Sequence, residues 1–170
     1  KCYACGVVVG EDVREEYFGI PTITCGSKNG FCINGERVIL RGACIHHDNG
    51  ILGAITLPDA ELRKVRLLKQ AGYNAIRSAH NPCSKALLDA CDTLGMLVLD
   101  EYADMWYIHK TRYDYASCLP DNWKDDLRDM VDKDYNHPSV VMYTIGNEVS
   151  ETGQPRGIRL TEEMTEYLHQ

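Results

Sequence analysis

The sequence predicts an α/β fold: about four βα units of a partial TIM (β/α)8 barrel, preceded by a short β segment. Strand-like and helix-like segments alternate from about position 38 to position 170, and repeated βαβ units imply parallel strands with right-handed crossovers. Each of the four strands also ends in a polar cluster. A doubly wound sheet concentrates its site at one switch point, so four polar strand ends favour a barrel. A whole barrel needs about 250 residues, so a chain of 170 residues is too short for one.

The first 27 residues have the composition of short β-strands. Positions 6–10 form an apolar run closed by glycine, and positions 17–23 are rich in β-forming residues. The pair Asn34-Gly35 is a hairpin signal. We therefore predict two segments, with residues 1–27 as the end of a β domain and residues 28–170 as half of a barrel.

The first two βα units follow residue 37. The strand predicted over positions 38–45 ends in His46, His47 and Asp48, and the helix after it has Pro58 in its first turn and Gly72 at its end. The second strand, positions 73–76, leads into Arg77, and its helix has two candidate N-caps and a glycine stop (Asn81 or Ser84, and Gly95).

The third and fourth units complete the pattern. Strand 96–99 ends in Asp100 and Glu101, and a long aromatic loop leads to a helix with apolar residues at helical spacing (Trp123, Leu127, Met130 and Val131). The fourth strand, near-continuously apolar from Val140 to Ile145, ends in Asn147 and Glu148, and a last helix is predicted over positions 161–170. An apolar strand without polar alternation is covered on both faces.

Composition and charge narrow the possible partners. The net charge is -7 and the hydrophobic fraction is 44%, and the basic residues are scattered, so the electrostatic footprint of a nucleic-acid-binding protein is missing. No apolar run is long enough to span a bilayer. We expect neither nucleic acid nor membrane as a partner. Two open barrel edges would favour a homo-oligomer.

The eight cysteines are spread through predicted strands and helices without the spacing of a small disulfide scaffold. We expect free, mostly buried thiols in a reducing compartment, and hence a cytoplasmic location. Cys2 and Cys5 have a metal-like spacing, but no second pair completes four ligands.

Polar residues at the strand ends define a candidate site. They are Arg77, His80 and Asn81 after the second strand, Asp100, Glu101 and Asp104 after the third, and Asn147 and Glu148 after the fourth. Five aromatic residues lie between positions 102 and 115. Trp106 is interpreted either as a plate that stacks on a ligand or as loop packing. Carboxylates, amides and aromatic rings around one mouth suit a carbohydrate, and Glu148 is the leading candidate for a catalytic acid.

Several ordered motifs resemble glycoside hydrolase family 2, the β-galactosidase and β-glucuronidase family. They are Arg77-Ser78-Ala79-His80-Asn81-Pro82, Asp100-Glu101, and Gly146-Asn147-Glu148 preceded by Asn136-His137-Pro138-Ser139-Val140. Residues 31–42 resemble the segment by which that family enters its barrel, and residues 1–27 resemble the end of its immunoglobulin-like β-sandwich. Pro21 stands where the family usually has arginine.

The resemblance implies a retaining β-glycosidase of the β-galactosidase type. Glu148 matches the acid/base, Asn147 the residue that contacts the sugar 2-hydroxyl, and Arg77 and His80 residues of the sugar site. Asp48 and Glu101 match less closely, as residues that bind sugar hydroxyls or orient neighbours. In that family the nucleophile comes from the seventh strand, so we expect this chain to be a fragment that is inactive alone.

Two further points stay open from the sequence. No cofactor is required by the mechanism, although some members of the family bind Mg²⁺ or Na⁺ near the acid/base. His46 and His47 are adjacent in a strand, so at most one faces the site, and His47 or Asp48 is the preferred sugar contact. The alternative to an enzyme is a catalytically silent carbohydrate-binding or assembly module. A dinucleotide-binding sheet is disfavoured because no G-x-G-x-x-G follows the first strand.

Overall fold

A computed structural model of the chain describes residues 2–170. Its N-terminal part contains an antiparallel hairpin and a separate three-stranded antiparallel sheet: β1 (Cys2–Val9) with β2 (Asp12–Gly19), and β3 (Ile23–Gly26), β4 (Gly30–Ile33) and β5 (Glu36–Arg37). Asn34 and Gly35 join β4 to β5 with φ angles of 53° and 83°. Two positive φ angles are those of a type I′ turn, which confirms the predicted hairpin.

The rest of the chain is a parallel sheet with helices between its strands. The strands are β6 (Gly42–Ile45), β7 (Ala75–Ser78), β8 (Leu97–Glu101) and β9 (Val140–Thr144), and the helices are α1 (Pro58–Gln70), α2 (Lys85–Leu94), α3 (Leu119–Asp134) and α4 (Pro155–Leu168). The strands lie side by side in chain order, all parallel. A doubly wound sheet would reverse this order, so the topology confirms a partial barrel.

Three predicted boundaries are corrected. The first barrel strand begins at Gly42 and not at position 38, because Asn74 holds the preceding segment: its Nδ2 donates to the Ile39 carbonyl at 2.9 Å and its Oδ1 accepts from the Arg41 amide at 2.6 Å. The second strand runs over Ala75–Ser78. The last helix begins at Pro155, since proline fits the first helical turn.

Two apolar cores position the strand ends. The first lies between the sheet and helices α1 and α2, around Val65, Leu88 and Val98. The second joins the β8–α3 loop to α3 and α4, around Trp106, Leu127 and Met164. Burying aliphatic and aromatic side chains of this size contributes about 1.5–3 kcal/mol each. The loop that carries Asp104 is therefore built into the second core and is fixed against the helices.

Helix ends follow the local sequence signals. Ser84 is the N-cap of α2, since its hydroxyl accepts from the Leu87 amide at 3.2 Å, and Gly95 ends the helix with a φ of 67°. Left-handed backbone of this kind favours glycine. The sequence left Asn81 and Ser84 open as caps, and the structure selects Ser84.

Gly157, in the first turn of α4, is expected to tolerate no side chain. A Cβ there would lie 1.9 Å from the Glu151 carbonyl oxygen, whereas a Cβ on nearby Gly153 would have no atom within 4 Å. Gly157→Ala should lower the free energy of unfolding by about 1–3 kcal/mol, because the turn that precedes the helix must shift. Gly153→Ala is the matched control, with an expected change within about 0.5 kcal/mol. Urea denaturation of both variants checks this; equal effects would contradict it.

The cysteines differ from their predicted burial. All eight are free thiols in the structure, but only Cys32, Cys83 and Cys91 are buried, and the other five are exposed. Cys2, Cys5 and Cys25 lie on the N-terminal strands, whose residues are largely exposed, as are the apolar side chains of Val8 and Val9. The division of the chain near residue 27 stays a prediction.

The described helices were also compared with the requirements of a membrane span. Within residues 2–170, none is both long enough and apolar enough to cross a bilayer.

Candidate active site

The site centres on the carboxylate of Glu101, at the C-terminal end of β8. One of its oxygens, Oε2, accepts from Arg77 Nη2 at 2.5 Å and from Arg77 Nε at 2.8 Å, and Oε1 lies 2.8 Å from His80 Nδ1. Glu101 is 0% exposed. Arg77 is the penultimate residue of β7, and His80 follows the strand by two residues. Because β7 and β8 are paired side by side, the parallel sheet brings the three side chains together. A buried carboxylate requires such partners.

Arg77 also connects β7 to β9. Its Nη2 donates to Asn147 Oδ1 at 2.9 Å, and Asn147 Nδ2 donates to Asp104 Oδ1 at 2.8 Å. Hydrogen bonds to the Cys44 thiol and to Glu101 raise the pKa of Arg77 above its ordinary value, against the effect of partial burial. The guanidinium is therefore a permanent donor, and it joins residues from the ends of four neighbouring strands.

Glu148 is exposed beside this network and has an unusual backbone. Its φ is 45°, in the left-handed region that costs a non-glycine residue on the order of 1–3 kcal/mol. The backbone before it is held from the β8–α3 loop: Trp106 Nε1 donates to the Ile145 carbonyl at 2.8 Å, and Lys110 Nζ donates to the Asn147 carbonyl at 2.6 Å. Such conformations persist where surrounding contacts fix them, which is typical of functional residues.

Two residues that the sequence predicts to bind substrate are buried in the structure. Glu101 has no exposed surface, and its carboxylate binds Arg77 and His80, which favours a role in orienting these neighbours; a contact with a sugar hydroxyl stays a prediction. Trp106 is 1% exposed and packs over the strand end, where a Cβ on Gly146 would lie 2.9 Å from its Nε1. This burial favours loop packing as the role of Trp106, and stacking on a ligand stays a prediction. Sequence alone does not separate these roles because either suits a loop tryptophan.

The end of β6 is arranged differently from the prediction. His46 lies against His80, with ring centroids 5.3 Å apart in an edge-to-face arrangement. His46 and His47 both line a cleft beside the network. The His47 ring is held in place: its Nε2 accepts from the Ser84 amide at 3.2 Å, so its Nδ1 carries the proton and donates to Asn81 Oδ1 at 3.0 Å. Asp48 is exposed and accepts from the Gly50 amide at 2.9 Å. His47 or Asp48 as a sugar contact stays a prediction.

Asp100 lies on the opposite face of β8 from Glu101. It is buried, and its Oδ1 accepts from the amides of Cys83 and Glu101 at 2.8 and 3.1 Å. Lys133 Nζ lies 3.4 Å from Asp100 Oδ2 and also binds Asp134. Burial, together with the negative charge of Asp100, raises the pKa of Asp134 to about 7, against the attraction of Lys133. Asp100, Lys133 and Asp134 therefore form a charged cluster that is separate from the Glu101 network.

Asp134→Asn should change how stability depends on pH. A carboxyl whose pKa rises from 3.8 to about 7 on folding stabilises the folded state only while protonated, and this contribution is lost as pH rises through that range. Asparagine is neutral throughout. The stability of the variant relative to the parent should therefore rise by on the order of 2 kcal/mol between about pH 5 and about pH 8. Asp132→Asn, exposed on the same helix, is the control; a flat difference for Asp134→Asn would refute the prediction.

A cleft of about 830 Å³ adjoins the network and is lined by His80, Asp104, Tyr115 and Asp126 among others. The hydroxyls of Tyr102 and Tyr115 both donate to Asp126 Oδ2, at 2.7 and 3.0 Å. Tyr102 is buried and Tyr115 is exposed. The loop aromatics therefore divide between core packing and the cleft wall.

Lys110 is the site residue that the sequence did not reveal. Its Nζ lies 2.8 Å from Asp104 Oδ1. Burial acts to raise the pKa of Asp104, but the hydrogen bonds from Lys110 and Asn147 outweigh it and lower that pKa below its ordinary value. Lys110 lies in an irregular loop, where no periodicity predicts which way a side chain points. Its separation of six residues from Asp104 was the only feature of the sequence that could have suggested their contact.

The Mg²⁺ or Na⁺ implied by the family does not fit the side chains present. Within residues 2–170, no group of three or more histidine, cysteine or acidic side chains could hold a metal ion. The carboxylates nearest Asn147 are already engaged, Glu101 by Arg77 and His80 and Asp104 by Lys110.

Known proteins are similar to this chain in sequence and in fold. The chain is 43% identical over 148 residues to the β-galactosidase BoGH2A of Bacteroides ovatus, covering 85% of this chain and 17% of that protein. It is 36% identical over 138 residues to a putative β-glucuronidase of Formosa agariphila, covering 81% and 13%. A crystal structure of a glycosyl hydrolase family 2 member from Bacteroides cellulosilyticus superposes with a TM-score of 0.89 at 46% identity, covering 99% and 22%.

The chain thus spans between 13% and 22% of the length of these relatives. Residues 27–167 match the model of the TIM barrel domain of glycosyl hydrolases family 2. The chain therefore belongs to glycosyl hydrolase family 2, and its four parallel βα units are part of that family's TIM barrel domain.

Proposed function

We propose that this chain supplies the acid/base part of the active site of a retaining β-glycosidase, with Glu148 as the acid/base. The observation that carries the proposal is the network that fixes Asn147 beside Glu148. In this network Arg77 donates both to the Glu101 carboxylate and to the Asn147 side-chain oxygen. This network presents an exposed carboxylate and an oriented amide at the C-terminal end of a barrel strand, where barrel enzymes place their chemistry.

Glu148 has the access that an acid/base needs. In the first step its carboxyl gives a proton to the glycosidic oxygen as the bond to the sugar breaks, and in the second it takes a proton from water. Both partners enter from solvent, and Glu148 is exposed. The left-handed backbone at Glu148 directs the side chain differently from the strand residues before it.

Asn147, Arg77 and His80 are proposed as sugar-site residues. A hydrogen bond from Asn147 to the sugar 2-hydroxyl strengthens as positive charge develops on the ring, so it stabilises the transition state more than the bound substrate. Arg77 holds the Asn147 oxygen at 2.9 Å. His80, with Nδ1 directed at Glu101, has its other ring nitrogen available for a sugar hydroxyl.

The nucleophile is proposed to come from outside the described residues. A retaining enzyme needs a second carboxylate about 5 Å from the first. Glu101 is buried under Arg77 and His80, and Asp104 is paired with Lys110. Neither is free to attack an anomeric carbon. Within residues 2–170, the carboxylates of the network therefore have positioning roles.

A chimera tests the proposal. In it, this chain replaces the matching segment of the Bacteroides ovatus β-galactosidase, which restores a complete barrel around Glu148. We expect turnover of an aryl β-galactoside, none of the α-anomer, and loss of turnover in Glu148→Gln. Aryl β-glucuronide is assayed in parallel, because relatives carry both names. Unchanged turnover in Glu148→Gln, in a folded chimera, would sink the assignment.

A further inference from the structure

A closed ring of hydrogen bonds surrounds Asn147. Its side-chain Nδ2 donates to Asp104 Oδ1 at 2.8 Å, Lys110 Nζ donates to the same oxygen at 2.8 Å, and Lys110 Nζ also donates to the Asn147 main-chain carbonyl at 2.6 Å. Asp104 and Lys110, called here the clamp, therefore hold both the side chain and the backbone of one residue. They come from the β8–α3 loop and not from the strand that carries Asn147.

The clamp and Arg77 together allow only one orientation of the Asn147 amide. A guanidinium only donates, and an ionised carboxylate only accepts. Arg77 therefore requires the amide oxygen on its side, at 2.9 Å, and Asp104 requires the amide nitrogen on the other, at 2.8 Å. Asparagine oxygen and nitrogen are otherwise nearly interchangeable in shape. One N–H of Asn147 stays available in a fixed direction.

The loop that bears the clamp is itself anchored. The buried carboxylate of Glu151 accepts from the amides of Tyr107 and Ile108 at 2.9 and 2.8 Å. Asp114 Oδ2 accepts from the amides of Lys110 and Thr111 at 2.7 and 2.8 Å. The clamp therefore has a rigid support on both sides, which is what precise positioning of a reacting group requires.

We infer that Asp104 and Lys110 are positioning residues, which aim the Asn147 amide at the sugar 2-hydroxyl and hold the backbone that precedes Glu148. This inference rests on the proposed function and adds to it two residues, neither of which touches the sugar through this role. Lys110 has a second effect: it keeps Asp104 from standing as an uncompensated negative charge beside the peptide that joins Asn147 to Glu148.

A substrate pair isolates the positioning role. The chimera and its Asp104→Leu variant are assayed with an aryl β-galactoside and with the matching 2-deoxy compound. Leucine has a similar shape but no acceptor for Asn147. Misdirection of one contact group costs about 10–100-fold, so kcat/KM for the 2-hydroxy substrate should fall by that factor. For the 2-deoxy substrate, which has no hydroxyl to bind, it should fall by less than about threefold.

Three further variants complete the design. Asp104→Asn, whose side-chain oxygen still accepts, should restore most of the discrimination. Lys110→Met should lose about 3–10-fold on the 2-hydroxy substrate, because Asp104 loses one of two restraints. Asp125→Leu removes an exposed acid that pairs with Arg128 at 2.8 Å, and is expected to change neither substrate. Thermal melting establishes that each variant is folded, and Asp104→Ala carries the test if Asp104→Leu is not folded, because it also removes only the acceptor of the Asn147 side chain.

The outcomes separate the two proposals. Equal losses of Asp104→Leu on both substrates, or no loss beyond that of Asp125→Leu, would overturn the clamp while leaving Glu148 as the acid/base. Unchanged turnover in Glu148→Gln would overturn the function itself. A crystal structure of the Asp104→Leu chimera gives a readout that needs no turnover: the Asn147 Nδ2 has lost its acceptor, so the side chain is expected to shift or to become less well ordered than in the parent chimera. An Asn147 side chain in the same place and as well ordered as in the parent would contradict the inference.

Discussion

Glu148→Ala in the chimera is expected to lower kcat/KM by about 10²–10⁴-fold for substrates whose leaving group needs protonation, such as a methyl or phenyl β-galactoside. A dinitrophenyl β-galactoside should lose far less in its first step, because a stable phenolate departs without a proton. The size of the loss should therefore follow the basicity of the leaving group. Initial rates across a series of aryl substrates measure this dependence.

Azide gives the same prediction a second measurement. An anion needs no general base to attack the glycosyl intermediate, so azide should restore turnover of the dinitrophenyl substrate and yield the β-glycosyl azide. Glu162→Ala, which removes an exposed carboxylate on α4, is the control and should respond neither to leaving group nor to azide. A loss in Glu148→Ala that is equal for all leaving groups would show that Glu148 does not protonate the departing oxygen.

Arg77→Met is expected to cause the largest loss of stability among single changes at the site. It removes both guanidinium contacts, at 2.5 and 2.8 Å, from a Glu101 carboxylate with no exposed surface. Removing one partner of a buried ion pair costs about 3–5 kcal/mol, because the remaining charge is left uncompensated. His80 still faces the carboxylate, so we expect the free energy of unfolding, measured by urea denaturation, to fall by about 3 kcal/mol.

A double variant distinguishes the buried charge from lost packing. Arg77→Met combined with Glu101→Gln leaves no charge to bury, so it should be more stable than Arg77→Met alone. Arg128→Met is the matched control: Arg128 pairs with Asp125 and Asp129 at the surface, where such pairs contribute about 0–1 kcal/mol. If the double variant is no more stable than Arg77→Met, the cost lies in packing and not in the isolated Glu101 charge.

The order of the strands and helices, and the edge of the sheet where the candidate site lies, could be predicted from the sequence. Helical periodicity predicted α1 to α3, apolar runs predicted the strands, and polar residues after those strands predicted Arg77, His80 and Asn147 as neighbours. The structure joins Arg77 to Asn147 directly, at 2.9 Å. These features depend on local pattern and on one general rule, that parallel strands bring their C-terminal ends to a common edge.

The sequence could not predict which residue at a strand end points into the barrel and which points toward the helices. Asp100 and Glu101 are neighbours in β8, and strand geometry places them on opposite faces. Because both faces of a parallel sheet are covered, the apolar pattern does not say which residue faces the barrel interior. The packing of helices and loops selected the face, and it directed Glu101 toward Arg77 and His80. For His46 and His47 it left both side chains beside the cleft.

The sequence by itself determined the order of strands and helices and the resemblance to the family. It also placed Asn147 and Glu148 directly after the C-terminal end of β9. The tertiary structure alone decided that Trp106 and Glu101 are buried, and that Lys110 reaches Asn147. The reason is physical. Periodicity and capping act over a few residues, whereas the contacts of an irregular loop depend on which distant groups share its core.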